Sequence, residues 1–220
     1  MNKFPNEKLA YFEVADMLYH NGTIKESIPY FEKSLVLDPS FEFSIQHLGW
    51  AYRDVGLHDK DIELTSQSLK IYPDKNNYKY NELYSYLYAG RVDDFFSKVR
   101  SLDDKDVQFT STDVAFGDGY LLKGDYGSAK NRYSKLLNNS ETKLEALLNL
   151  RTLSIYAGDY TDFISTSDQI INYGISKNNY RIYISDLARR AFTLIVTFEK
   201  LDEAEKIINE MEKIFKDKPD

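Results

Sequence analysis

The chain has 220 residues, 42% of them hydrophobic, with a net charge of −7 and a pI near 5.1. That length supports a continuous core in one or two domains. The acidity argues against a nucleic-acid partner, because affinity for phosphates comes mainly from Lys and Arg. There is no cysteine, which excludes disulfides, thiolate zinc sites and cysteine nucleophiles. The stretch from Met1 to Tyr11 is polar and carries Pro5, Glu7 and Lys8, so no signal peptide is expected there. No run approaches the about 18 apolar residues that span a bilayer. A cytoplasmic location with no membrane partner is the expectation.

Gly22, Gly56, Gly90, Gly124 and Gly158 each follow the last by 34 residues. Each closes an apolar, helix-like run and is followed by another. A fixed period of this size with two helical runs per unit is a repeat signature. The glycines read as helix ends at positive φ, where a residue without a Cβ carries no penalty. The residues after them read as helix starts: Thr23 with Glu26 fits a capping box, and Asp59, Asp93, Asp125 and Asp159 put acid near a helix N-terminus.

In chain order, residues 8–41 make the first unit, with helix A over 7–20 and helix B over 24–37. Tyr11, Val14, Ala15 and Leu18 form one stripe, and Ser27, Phe31, Ser34 and Leu35 the facing one. Pro39 ends helix B, while Pro29 sits inside it near the first turn, where a kink and not a break is expected. Residues 42–75 make the second unit, in which Ile45, Leu48, Gly49 and Tyr52 lead to Gly56 and Pro73 ends helix B. Residues 76–109 hold the frame through Leu83, Tyr86 and Gly90, with Phe95, Val99 and Leu102 as the helix B stripe. Residues 110–143 carry Phe116, Gly117 and Tyr120, then Gly124, Tyr126, Ala129 and Tyr133. The fifth unit keeps Leu147, Leu150, Gly158, Tyr160 and Phe163.

The period then slips. Leu201-Asp202-Glu203-Ala204 places the next turn at Glu199, 41 residues after Gly158. The seven extra residues are assigned to the region of Asn172 to Asn179, as longer helix or as loop. The fifth and sixth units therefore span 144–184 and 185–218. The last helix, about 202–216, has an apolar stripe of Ala204, Ile207, Ile208, Met211 and Phe215 and a charged outer face, as a terminal repeat requires.

Leu48-Gly49-x2-Tyr52, with Ile45 in the tryptophan place and prolines at 39 and 73, resembles the tetratricopeptide repeat (TPR) pattern W-x2-L-G-x2-Y…A-x3-F…P. Asp61 and Thr65 stand where the family has Ala and Phe. The resemblance covers nearly the whole chain. It implies an all-α fold, a right-handed α-α superhelix of about six helix-turn-helix repeats forming a single domain over 1–220. It also implies that helix A of each unit lines a concave groove. Carried onto this sequence, that groove offers Phe12, Asp16 and Tyr19, then Phe43, Gln46, Trp50 and Arg53, then Asn77, Tyr80, Tyr84 and Leu87. Val114, Asp118 and Leu121 follow from the fourth unit, Leu148, Thr152 and Ile155 from the fifth, and Arg189, Thr193 and Val196 from the sixth. The first three units make an aromatic strip of the residue types that dominate interface energetics; packing between neighbouring A helices is the alternative for each member. Family members that hold a chaperone C-terminal Glu-Glu-Val-Asp tail use Lys and Asn where this chain has Phe12, Asp16 and Trp50, so that tail is not an expected partner.

Chemistry is sparse. His20 and His47 are expected near each other across adjacent A helices, with Asp16 close by. No metal is expected there, because the spacing matches no established ligand motif. Asp103-Asp104-x-Asp106 lacks the glycine and distant glutamate of a calcium loop, and Gly117-x-Gly119 lacks the strand-to-helix context of a nucleotide loop. No catalytic constellation can be assembled and no cofactor is expected. The leading reading is a non-catalytic scaffold that binds a peptide segment or partner protein in the groove. The alternatives are a regulatory portion of a larger signalling or transcriptional system, and a self-associating homo-oligomer.

Overall fold

A computed structural model describes residues 6–101 and 112–217. Among the described residues there are twelve α-helices and no strand: α1 (Lys8–His20), α2 (Ile24–Leu37), α3 (Glu42–Asp54), α4 (His58–Ile71), α5 (Asn76–Tyr88), α6 (Val92–Val99), α7 (Thr112–Leu122), α8 (Tyr126–Ser134), α9 (Lys143–Ala157), α10 (Tyr160–Ser176), α11 (Tyr180–Val196) and α12 (Leu201–Asp217). None is long and apolar enough to cross a membrane. The chain divides into two compact units, Met1–Thr112 and Asp113–Asp220. Leu102, Asp103, Asp104, Asp106 and Val107, which the sequence reading places in a helix end and an acidic connector, lie outside the described residues.

The turn glycines behave as their spacing predicts. All five have positive φ, from 67° at Gly158 to 83° at Gly22. Each is the pivot of one Schellman motif. At Gly56, the Leu57 N–H donates to the Tyr52 carbonyl (2.8 Å) and the Gly56 N–H to the Arg53 carbonyl (3.1 Å). The same pair of bonds recurs around Gly22, Gly90, Gly124 and Gly158. Replacing Gly56 by alanine places a Cβ at φ 77° with no neighbour within 4 Å. The expected loss, read from a urea melt, is therefore backbone strain alone, about 1 kcal/mol.

One of the capping expectations is corrected. Thr23 does not form a capping box. Its ψ of 58° leaves it short of the extended conformation, and it makes no side-chain cap bond. Its hydroxyl instead donates back to the Leu18 carbonyl at 2.9 Å, closing the end of α1. Two of the four aspartates cap: Asp125 accepts from the Ser128 N–H and Asp159 from the Asp162 N–H, while Asp59 and Asp93 lie in the first turns of α4 and α6. Pro29 leaves α2 continuous over its 14 residues. Asp38 is extended at the end of α2, as a residue before proline must be.

The seven extra residues are helix, not loop. At 17 residues, α10 is three longer than α2 and α4, and α11 is four longer than α1, α3 and α5. Their turn repeats the Schellman bonds with Asn178 (φ 51°) in the glycine place, and Asn179 caps α11 through the Ile182 N–H. Gly174 lets the pair approach, since a Cβ there would meet the Tyr183 amide nitrogen at 3.0 Å. Glu199, at φ 54°, makes the turn before α12.

The core follows the stripes. In the compact unit Met1–Thr112, Ala15, Ile28, Phe31, Leu48, Ala51 and Tyr52 form one buried cluster. In the compact unit Asp113–Asp220, Val114, Ala129, Tyr133 and Leu153 form another, and Phe163, Ala191, Leu194 and Ala204 a third. On α12 the expected stripe is only partly buried: Ala204 is enclosed and Ile207 and Met211 half-buried, but Ile208 and Phe215 are exposed.

Lys8 and Asp38 form an ion pair joining the start of α1 to the end of α2. The Asp38 carboxylate also accepts from the Ser40 N–H and hydroxyl. Lys8 first, then Ser40, hold that carboxyl down at about 2 from its usual 3.8. A depressed carboxyl stabilises the fold above its unfolded value and loses that contribution as the pH falls through its folded value. Asp38→Asn should therefore lower stability at pH 5 and above, with the difference shrinking as the pH falls from about 4 and vanishing only below about 2, read by circular dichroism along an acid titration.

Candidate functional site

The A helices α1, α3 and α5 of the first three repeats present residues to one open cleft. It has a volume of about 670 Å³ and is lined by Tyr19, Gln46, Trp50, Arg53, Asn77 and Tyr80, with Asp54, Asn81 and Tyr88. Heptad-like spacing explains the set: Gln46, Trp50 and Arg53 lie at i, i+4 and i+7 on α3, and Asn77, Tyr80 and Asn81 at i, i+3 and i+4 on α5. Trp50, the one tryptophan of the chain, is 41% exposed. The Tyr19 hydroxyl donates to Asp54 at 2.7 Å. Burial first, then the hydrogen bond to Asp54 and its charge, push the Tyr19 phenol up to about 12, so it stays a donor at neutral pH.

Arg53 is committed inward. Its Nε donates to Oδ2 of Asp61 at 2.7 Å and its Nη2 approaches Oδ1 at 3.3 Å. Asp61 on α4 is fully buried. Gly49 makes room for the pair, since a Cβ there would lie 3.3 Å from Asp61 Oδ1 and 3.6 Å from Arg53 Nη2. The Arg53 guanidinium also lies 5.5 Å from the Tyr88 ring centre.

The remaining candidates lie elsewhere. Tyr84 packs inward, its ring 4.4 Å from Tyr80 and 6.1 Å from the buried Phe95. Phe12, half-buried, belongs to an aromatic cluster that runs from the buried Phe31 through Phe41 and His47 to the exposed Phe43, at centroid distances of 5.3–5.9 Å from it. Asp16 sits between two imidazoles, its Oδ1 3.3 Å from His20 Nε2 and 3.2 Å from His47 Nε2. Asp118 is in the fourth repeat, within the compact unit Asp113–Asp220, and accepts the Tyr133 hydroxyl at 2.7 Å. Leu87, Val114 and Thr193 are buried, so these three present no groove surface.

No family model matches the chain, and no curated protein matches it in sequence. Solved structures do match. A tetratricopeptide repeat protein from Parabacteroides merdae superposes with a TM-score of 0.63 over 91% of this chain and 83% of its own, at 9% identity. PilW, a type IV pilus biogenesis factor, gives 0.53 over 91% and 98%, at 16% identity. YrrB, a TPR protein with an unusual peptide-binding site, gives 0.50 over 84% and 93%, at 12% identity.

The fold is that of a TPR solenoid.

Two features of this chain depart from the repeat consensus. Asp61 occupies the consensus alanine of helix B, and its buried charge is met by Arg53 from the preceding helix. Counting 34 residues on from Gly117 reaches Arg151, so an arginine fills a slot that the second and fourth repeats give to a close-packed glycine. Arg151 on α9 is buried and ion-paired with the buried Asp186 of α11. Burial, then the charge of Arg189, draws the Arg151 guanidinium down to about 10, still protonated at neutral pH. The sequence reading missed this pair. Its signal was the charged residue in a small-residue slot, which needs a buried counter-charge.

Proposed function

We propose that this TPR protein is a non-catalytic binding module that holds an extended peptide segment of another protein against α1, α3 and α5. The observation that carries the reading is the convergence of Tyr19, Gln46, Trp50, Arg53, Asn77 and Tyr80 on one open cleft. Gln46, Asn77 and Asn81 each bring an amide that both donates and accepts, which suits the alternating N–H and C=O of an extended backbone. Trp50 and Tyr80 supply the apolar, low-entropy surface on which hot spots are built. The likeness to YrrB, described by its peptide-binding site, adds support at the level of the fold.

The test uses the single tryptophan as its own reporter. Partners captured from a native lysate are narrowed to a peptide, and that peptide is titrated against Trp50 fluorescence. The Trp50→Ala/Tyr80→Ala variant is assayed alongside by calorimetry. Binding should weaken by about 2 kcal/mol or more, roughly 30-fold, with helicity unchanged. A peptide held equally by both proteins would move the site off this cleft. A mass that doubles with concentration, together with no captured partner, would favour self-association instead. Tyr84 is left intact because it packs on Phe95.

A further inference from the structure

We propose that Asp16, His20 and His47 bind a divalent transition-metal cation of the zinc class, independently of the peptide reading. Among the described residues this is the one group of three His, Asp or Glu side chains whose ligand atoms converge, all within 4.8 Å of one another. Asp16 and His20 stand at i and i+4 on α1, and His47 comes from the adjacent A helix, α3.

The hydrogen bonding of His47 makes the case. Its Nδ1 lies 2.8 Å from the Phe43 carbonyl oxygen. A carbonyl only accepts, so Nδ1 carries the proton of that bond. In the neutral ring Nε2 is then a bare lone pair, and it faces the Asp16 carboxylate oxygen at 3.2 Å. Two acceptors so placed need a cation between them. A proton on Nε2 satisfies two atoms; here a third, His20 Nε2, stands 3.3 Å from the same oxygen. Atoms bonded about 2.0–2.1 Å from a tetrahedral zinc lie about 3.3 Å apart, which matches both measured edges. The remaining edge closes by rotation of the His20 side chain, which is 62% exposed.

The supporting shell is also present. An Nδ1–H donated to a backbone carbonyl is the usual device that fixes the tautomer and orientation of a metal-bound imidazole. The His47 ring is held edge-on by Phe12 at 5.3 Å and lies against Trp50 at 4.7 Å. Two imidazoles and one carboxylate suit zinc, copper, nickel or cobalt better than magnesium or calcium, which prefer oxygen. With Asp16 31% exposed and His20 more so, further coordination positions open to water.

The experiment titrates the full, metal-stripped chain with Zn²⁺ by calorimetry at neutral pH, and with Co²⁺ while following visible absorption and Trp50 fluorescence. One ion per chain is expected, with Trp50 quenched by Co²⁺. His20→Ala and Asp16→Asn should each weaken binding by at least about 100-fold, because even losing an outer-shell partner costs about 10–100-fold. His58→Ala, at a histidine outside the cluster, should leave affinity unchanged. Circular dichroism confirms that each variant is folded; both substituted ligands are partly exposed, which spares the core. No saturable binding by wild type would leave the proton as the cation between His47 and Asp16 and overturn the proposal. Equal affinity in His20→Ala and wild type, or a loss in His58→Ala, would overturn it as well.

Discussion

Gly117→Ala should be among the most damaging single substitutions in the chain, costing about 3 kcal/mol in a urea melt. A Cβ at Gly117 would lie 2.2 Å from Cε1 of Tyr133 and within 2.7 Å of two further ring carbons. The ring cannot step aside cheaply. Tyr133 is 1% exposed, packs with Val114, Ala129 and Leu153, and donates its hydroxyl to Asp118. The extra methyl therefore has to move α7 away from α8 or expel the ring from the core. Tyr133→Leu alone should also destabilise, through lost packing and an abandoned Asp118 bond. In the Gly117→Ala/Tyr133→Leu double variant the two losses should be clearly less than additive, because the smaller side chain frees the space the methyl needs. Full additivity would mean that ring contact is not what Gly117 protects.

Arg53→Ala should cost about 3–5 kcal/mol, the price of leaving a buried carboxylate without its counter-charge. Asp61 is wholly enclosed and both of its oxygens face the guanidinium. The thermal melt of Arg53→Ala should fall well below that of Trp50→Ala, though both residues line the same cleft. Asp61→Ala restores the residue of the repeat consensus and leaves Arg53, at 15% side-chain exposure, close enough to water to turn outward. The Arg53→Ala/Asp61→Ala double variant should therefore recover most of the lost stability, since removing both charges removes the desolvation cost as well. This bears on the binding test: a partner lost in Arg53→Ala reports unfolding as readily as a lost contact, so the cleft is better probed at Trp50 and Tyr80.

The sequence was legible where the determinant is local. A Schellman turn is built from six consecutive residues and one positive φ, so five glycines at a single interval were enough to place five turns and the helices on either side. The turn at Glu199 lies off that interval, 41 residues after Gly158, and was placed by the Leu201-Asp202-Glu203-Ala204 match despite its side chain. The seven-residue slip was visible, but its form was not, because three or four additional residues lengthen an amphipathic helix without breaking its period. Thr23 shows the limit at short range: the capping-box pattern was present, yet the backbone angle at one residue aimed the hydroxyl at Leu18 and not at the next helix.

The candidate site divides along the same line. Repeat position by itself indicated which residues belong to the A-helix faces, and six of the eleven from the first three repeats meet in one cleft, because helix spacing alone decides which side chains share a face. What only the tertiary structure decided is where those side chains end. Arg53 turns to Asp61, Tyr84 to Phe95, and Asp118 to Tyr133, each drawn by a partner on another helix that lies 8 to 15 residues away in sequence. Arg151 and Asp186 find each other across 35 residues, and Asp16, His20 and His47 across 31. Local periodicity specifies helices and turns; buried charges and convergent ligands depend on distances between helices, which exist only once the repeats have packed.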